Sequence, residues 1–167
     1  MAAWGTPPTH VTGDTLAVSD WNTIANNETF LYQAPYASAY NTVGVSCASA
    51  TWTQITLSTL DFSGYSFALT SNNLVAPIAG IYWVSGFVMW TVSTTIVGTG
   101  LYQNGTQKKV SQTAAVSTGT GSSAGVVMKC AASDTIGLWG VQDSGGNASN
   151  VAGSTNTYLS AFYVGST

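Results

Sequence analysis

From Ala37 to the C-terminus, short runs of Val, Ile, Thr, Tyr, Phe and Trp alternate with Gly, Asn and Ser. The turn residues recur about every eight to twelve positions, the pattern of β-strands joined by turns. It predicts strands near 41–46, 52–60, 65–69, 73–76, 80–92, 96–103, 107–114, 123–130, 135–141 and 156–164. Asn104-Gly105 reads as a tight hairpin, because both residues tolerate positive φ. The Gly- and Ser-rich stretches Ser117–Ser123 and Asp143–Ser154 read as exposed loops within one domain. The first 36 residues differ. Trp4, Pro7, Pro8 and His10 favour an extended arm, and Gly13-Asp14 a turn. Ser19 is then placed to cap a short helix with Trp21, Ile24, Ala25, Glu28 and Leu31 on one face, ended by Pro35. The expected organisation is an arm and helix over 1–36 and a β domain over 37–167.

Several strands are apolar on both faces. In Ile81–Trp90, one face carries Ile81, Trp83, Phe87 and Met89, and the other Tyr82, Val84, Val88 and Trp90. The last strand puts Tyr158, Phe162 and Val164 opposite Leu159, Ala161 and Tyr163, and Trp139 lies opposite Ile136 and Leu138. A sheet with one wet face alternates apolar with polar residues instead. An all-β domain has no helix layer for the second face, so another copy of the chain is the economical cover. A homo-oligomer is expected.

Charge narrows the classes. Only 5% of residues are charged, against about 25% in an ordinary soluble protein, so Thr, Ser, Gly and Asn must make the surface. A net charge of −3 with no Arg cannot neutralise a run of phosphates, and no nucleic-acid partner is expected. The one basic pair, Lys108-Lys109, follows a hairpin and suits protection of a strand edge. Leu74–Val92 is uncharged and long enough to span a bilayer, but Pro77, Gly80, Ser85 and Gly86 interrupt it, so no membrane helix is expected. The first residues show no basic and then apolar export signal, which discounts the three Asn-x-Ser/Thr sequons. Cys47 and Cys130 match no metal-site spacing; buried free thiols are favoured over a disulfide.

Catalytic chemistry is poorly supplied. The single His, His10, lies in the arm, which leaves a Ser/His/Asp or Cys/His arrangement without its base. Asp134 and Asp143 are the one carboxylate pair near a predicted strand end, and both also read as turn residues. A cation in the Asp143–Asn156 loop would rely on one carboxylate with Asn147, Asn150 and Asn156. No phosphate loop is present. The chain is therefore expected not to be an enzyme, with no catalytic, metal or cofactor residues. Trp52 and Tyr65 are candidates for stacking on sugar rings, with core packing the alternative.

Four segments together resemble strands of the complement-head and tumour-necrosis-factor jelly-roll superfamily: Gly80-Ile81-Tyr82-Trp83-Val84-Ser85-Gly86, Leu101-Tyr102-Gln103-Asn104-Gly105, Asp134-Thr135-Ile136-Gly137-Leu138-Trp139 and Tyr158-Leu159-Ser160-Ala161-Phe162-Tyr163. The resemblance covers roughly residues 41 to 164 and implies an all-β jelly-roll sandwich that forms a homotrimer about a threefold axis. It makes Tyr82, Trp90, Trp139, Tyr158 and Phe162 candidates for the trimer interface, each with barrel core as the alternative.

The N-terminal stretch is similar to something else. Gly13-Asp14-Thr15-Leu16-Ala17-Val18-Ser19-Asp20-Trp21-Asn22, after Trp4 and a Pro-Thr stretch and before Phe30-Leu31, resembles the opening of many tailed-bacteriophage structural proteins. That resemblance implies a virion protein: a trimeric capsid decoration, or cement, protein on the capsid exterior, bound to the major capsid protein. Trp4, Pro7, Pro8, His10, Leu16, Trp21, Ile24 and Leu31 are the expected attachment residues. A tail-fibre or head-fibre tip module that binds a host surface receptor or glycan is the alternative, and a secreted cytokine-like ligand trails both.

Overall fold

The computed structural model describes residues 17–32, 34–93, 96–115 and 117–166, with Thr6, Thr9 and Thr15. The chain divides into two compact units, Met1–Ala34 and Pro35–Thr167. In the first, α1 spans Val18–Tyr32. Its start differs from expectation. Ser19 lies inside the helix, and Ala17 stands at the cap, its N–H donating to Asp20 Oδ2 at 2.7 Å. Asp20 thus supplies the reach-back half of a capping box and sets a negative charge in the first turn.

The second unit is an antiparallel β-sandwich. Its strands are β1 (Tyr36–Tyr40), β2 (Ser46–Cys47), β3 (Thr53–Gln54), β4 (Thr59–Gly64), β5 (Ala68–Thr70), β6 (Asn73–Val75), β7 (Gly80–Met89), β8 (Ile96–Gln103), β9 (Thr106–Ala114), β10 (Gly121–Cys130), β11 (Thr135–Gln142), β12 (Ala148–Ser149) and β13 (Thr157–Gly165). One sheet runs β10-β7-β13-β1-β4, and the other β5-β6-β11-β8-β9 with β3 also paired to β11. β1 and β13, the first and last strands, are neighbours inside the five-stranded sheet.

The core lies between the sheets. β7 contributes Tyr82, Val84 and Val88, and Trp90 follows just after its end; β8 and β11 contribute Leu101, Ile136 and Leu138, and β13 Leu159 and Ala161. Gly86 allows the layers to close: a Cβ there would stand 2.6 Å from Leu138 Cδ1 and 3.0 Å from Leu101 Cδ2. The β8–β9 hairpin turns on Asn104 and Gly105 at φ of 50° and 73°, the left-handed pair that a two-residue hairpin requires.

Three strand expectations are corrected. The first strand is Tyr36–Tyr40 rather than 41–46, and the Asn41 side chain folds the loop after it, donating to Val43 O at 2.9 Å. The stretch 52–60 is split, because β3 pairs with β11 in one sheet and β4 with β1 in the other. The chain crosses between layers at Ile55–Leu57, where the Leu57 N–H turns back to Ile55 O and both side chains enter the core. Over 65–69, Tyr65 and Ser66 have φ of 53° and 59°, so a turn replaces the first half of the expected strand.

Candidate functional site

The five-stranded sheet exposes a face of rings and small residues. Register places Val127, Trp83, Phe162 and Tyr36 in one row across β10, β7, β13 and β1. Phe62 of β4 extends it, its ring centroid 6.0 Å from that of Tyr36. Two residues along, about 7 Å away, the next row is Gly125, Ser85, Ser160 and Ser38. A third holds Ser123, Phe87, Tyr158 and Tyr40, with Phe87 and Tyr158 stacked at 6.1 Å.

Glycines let the rings lie close to the backbone. A Cβ on Gly125 would stand 3.0 Å from the Trp83 ring, and one on Gly64 2.6 Å from the Tyr36 ring. Phe87 covers Gly121 in the same way. In the middle row, Ser160 and Ser38 share a buried hydrogen bond of 3.0 Å between their hydroxyls. The result is two aromatic ridges flanking a strip of small side chains. Trp83, Phe162, Tyr36 and Phe62 are 39–46% exposed and Val127 is 58% exposed. Together they leave on the order of 500 Å² of apolar surface in one patch, toward the upper end for a monomer. The three rows contain no Asp, Glu, Lys or His, and Lys129 lies just beyond the first of them on β10.

The expected interface residues fall in three places. Tyr158 and Phe162 belong to this face. Trp139 points outward from the opposite, six-stranded sheet, stacked on Tyr102 at 4.5 Å. Tyr82 and Trp90 are corrected: both are fully buried in the core of a single chain and have no surface to offer a neighbour. The Tyr82 hydroxyl donates to Ile78 O at 2.8 Å, its ring meets Phe67 and Tyr163 edge-on, and burial pushes its phenol strongly up. Trp83 and Phe87, the alternate residues on the same strand, take the outward role, with Tyr36, Phe62 and Val127. Parity in the sequence separated Trp83 from Tyr82 but did not say which set faced out.

Of the expected attachment residues, Trp21 and Ile24 are exposed on α1, beside the still more exposed Val18. Ala25 and Glu28 are exposed too, whereas Asn27 and Phe30, off the expected face, are buried. Trp4, Pro7, Pro8, His10 and Leu16 lie outside the described residues, as does the side chain of Leu31.

The polar candidates brace the scaffold. Asp134 accepts from Gln103 Nε2, Asn104 Nδ2 and the Ala131 N–H at 2.7–2.8 Å, and the Asn104 bond leads in holding its carboxyl below the usual range. Asp143 accepts from the Ile96 N–H at 2.7 Å. The two flank opposite ends of the eight-residue β11. At about 3.3 Å per residue they lie far beyond the roughly 5–9.5 Å of a glycosidase pair, which corrects their placement at one strand end. In the suggested cation loop, Asn150 Oδ1 accepts from the Val45 N–H and Asn156 Nδ2 donates to Ala152 O. No three His, Cys, Asp or Glu side chains among the described residues are placed to share a metal. Cys47 and Cys130 are buried and free, and burial raises Cys130 to about 11. No described helix is long and apolar enough to cross a membrane.

No protein-family model matches the sequence, and no curated protein matches it. Solved structures do. Eiger TNF from S. frugiperda is 9% identical with a TM-score of 0.64, over 81% of this chain and 95% of that one. Murine APRIL at pH 5.0 is 13% identical with a TM-score of 0.66, over 79% of this chain and 100% of that one. At such identities the likeness is one of fold, and the fold is a TNF-like jelly-roll sandwich.

Proposed function

We propose that the chain is a structural protein of a bacteriophage virion, a capsid decoration protein that trimerises through its β domain and attaches to the major capsid protein through residues 1–36. The aromatic face carries this reading. A chain with so few charges keeps about 500 Å² of rings and valine uncovered on one sheet, and a copy of the same chain is the partner always at hand. The trimeric state is taken from the jelly-roll resemblance. The capsid location is taken from the resemblance of the N-terminal stretch, and Val18, Trp21 and Ile24 add an apolar surface on α1 to that segment. A trimer holding three such segments binds a lattice by effective concentration, so each contact need only be modest.

Two experiments test it. The band intensity of this protein against the major capsid protein in purified virions is expected to give hundreds of copies per particle. A few to a few tens would move it to a fibre, tail or vertex and displace the decoration role. Replacing Trp21 and Ile24 together by Ser is expected to leave the β domain's melting unchanged and release the protein from particles. Undiminished binding would remove α1 from the attachment.

A further inference from the structure

The six-stranded sheet carries a second aromatic cluster on its outward face, and its chemistry differs from that of the first. Trp139 of β11 and Tyr102 of β8 stack at 4.5 Å with 22° between ring planes. Trp52, just before β3, and Tyr102 both approach Gly100, where a Cβ would lie 3.0 Å from the indole and 2.9 Å from the phenol ring. All three rings are partly exposed. Planar amides surround them. The Tyr102 hydroxyl donates to Gln107 Oε1 at 3.2 Å, and Gln54 Nε2 donates to Asn73 Oδ1 at 3.0 Å. Three polar atoms from three strands converge above Gly137. The point a Cβ would occupy lies 2.5 Å from Asn73 Oδ1 and 3.6 Å from both Gln54 Nε2 and Trp139 Nε1. A side chain at this position would press on the Asn73 amide and fill the space the three atoms surround.

We propose that this platform binds a neutral carbohydrate, with a pyranose ring stacked on the Trp139–Tyr102–Trp52 cluster and its hydroxyls bonded to Gln54, Asn73 and Gln107. A pyranose presents an apolar C–H face and, around its rim, hydroxyls that both donate and accept. Aromatic rings match the first, and amides, which carry both donors and acceptors, match the second. None of the six side chains is charged, which disfavours an anionic ligand. An acyl chain would cover these amides without using their donors and acceptors. A protein partner needs roughly 800 Å² per side, and three rings with three amides are the size of one or two sugar residues. The platform is on the opposite sheet from the proposed trimer face, so its occupancy does not depend on the virion reading.

The test titrates the full chain with neutral hexasaccharides: α-1,4-glucan, β-1,4-glucan, β-1,4-linked N-acetylglucosamine and β-1,4-galactan. Amide chemical shifts and tryptophan emission are the readouts. At least one sugar is expected to saturate at or below about 10 mM, with shifts centred on β3, β8 and β11 and little change between low and high salt. Trp139→Ala is expected to weaken binding at least tenfold. Gln107→Ala, which leaves the ring stack in place and so guards against a folding defect, should weaken it several-fold. Val43→Ser, in the exposed loop after β1, should leave it unchanged. No saturable response to any of the four sugars overturns the proposal. So does binding that survives Trp139→Ala and Gln107→Ala, or shifts that centre elsewhere.

Discussion

Phe162→Ser separates assembly from folding. Phe162 sits in the first aromatic row, between Trp83 and Tyr36, with 42% of its surface exposed in one chain. For a side chain of about 200 Å², some 80 Å² is left for a partner to cover. At about 25 cal/mol/Å² that is roughly 2 kcal/mol per copy. Three copies lose about 6 kcal/mol, a fall on the order of 10⁴-fold in the trimer's association constant. The fold should suffer less, because the core side of β13 at this point is Ala161, which is untouched. Sedimentation over a concentration series reads the association, and urea unfolding of the dissociated chain reads the fold. The expected outcome is a monomer at micromolar concentration that still unfolds in one cooperative step. An unchanged association constant would refute the argument that this face is the interface. Dissociation of the variant with loss of cooperative unfolding would show instead that Phe162 holds the sheet together.

Other expectations follow from the scaffold. Gly86→Val drives a branched side chain into Leu138 and Leu101 and should cost about 1–3 kcal/mol by urea unfolding; a cost below the error of the measurement would mean that the two layers are less tightly closed than described. Asp134 has its folded pKa lowered, chiefly by Asn104. Its stabilisation is therefore full above the unfolded carboxylate value of about 3.9 and drains away as pH falls below it. The stability difference between the wild type and Asp134→Asn should shrink between about pH 5 and pH 2, and a difference flat with pH would contradict the assignment. Cys130, raised to about 11 by burial, should react with a thiol reagent at pH 8 only as fast as the domain opens. Immediate labelling of the native protein would contradict its burial.

The strands most legible in the sequence were those with strong local signals. β8 and β9 were marked by Asn104-Gly105, whose positive φ values only a few residue types accept, and β7 and β13 by unbroken apolar runs. Layer crossing was not legible: Ile55 and Leu57 alternate like any strand, and only pairing partners on two different sheets reveal that the chain changes layer there. The sequence groups Tyr36 with the arm, because Pro35 marks the helix end, yet it opens β1. The orientation of β7 was ambiguous because Tyr82, Val84, Val88 and Trp90 are no more apolar than Ile81, Trp83, Phe87 and Met89. Glycines hold the distinction. Gly121 and Gly125 of the neighbouring β10 lie beneath outward rings, whereas Gly86 of β7 itself makes room for core leucines. Such pairings across strands are set by register, which a single sequence does not display.

Self-association is proposed to run through the five-stranded sheet. Sedimentation equilibrium of the full chain at micromolar concentration tests it directly. A mass of about three times 17.2 kDa, with Trp83, Phe162 and Tyr36 protected from solvent in the assembled state, is the predicted result. A monomer, or a trimer in which those rings remain as accessible as in one chain, would contradict it.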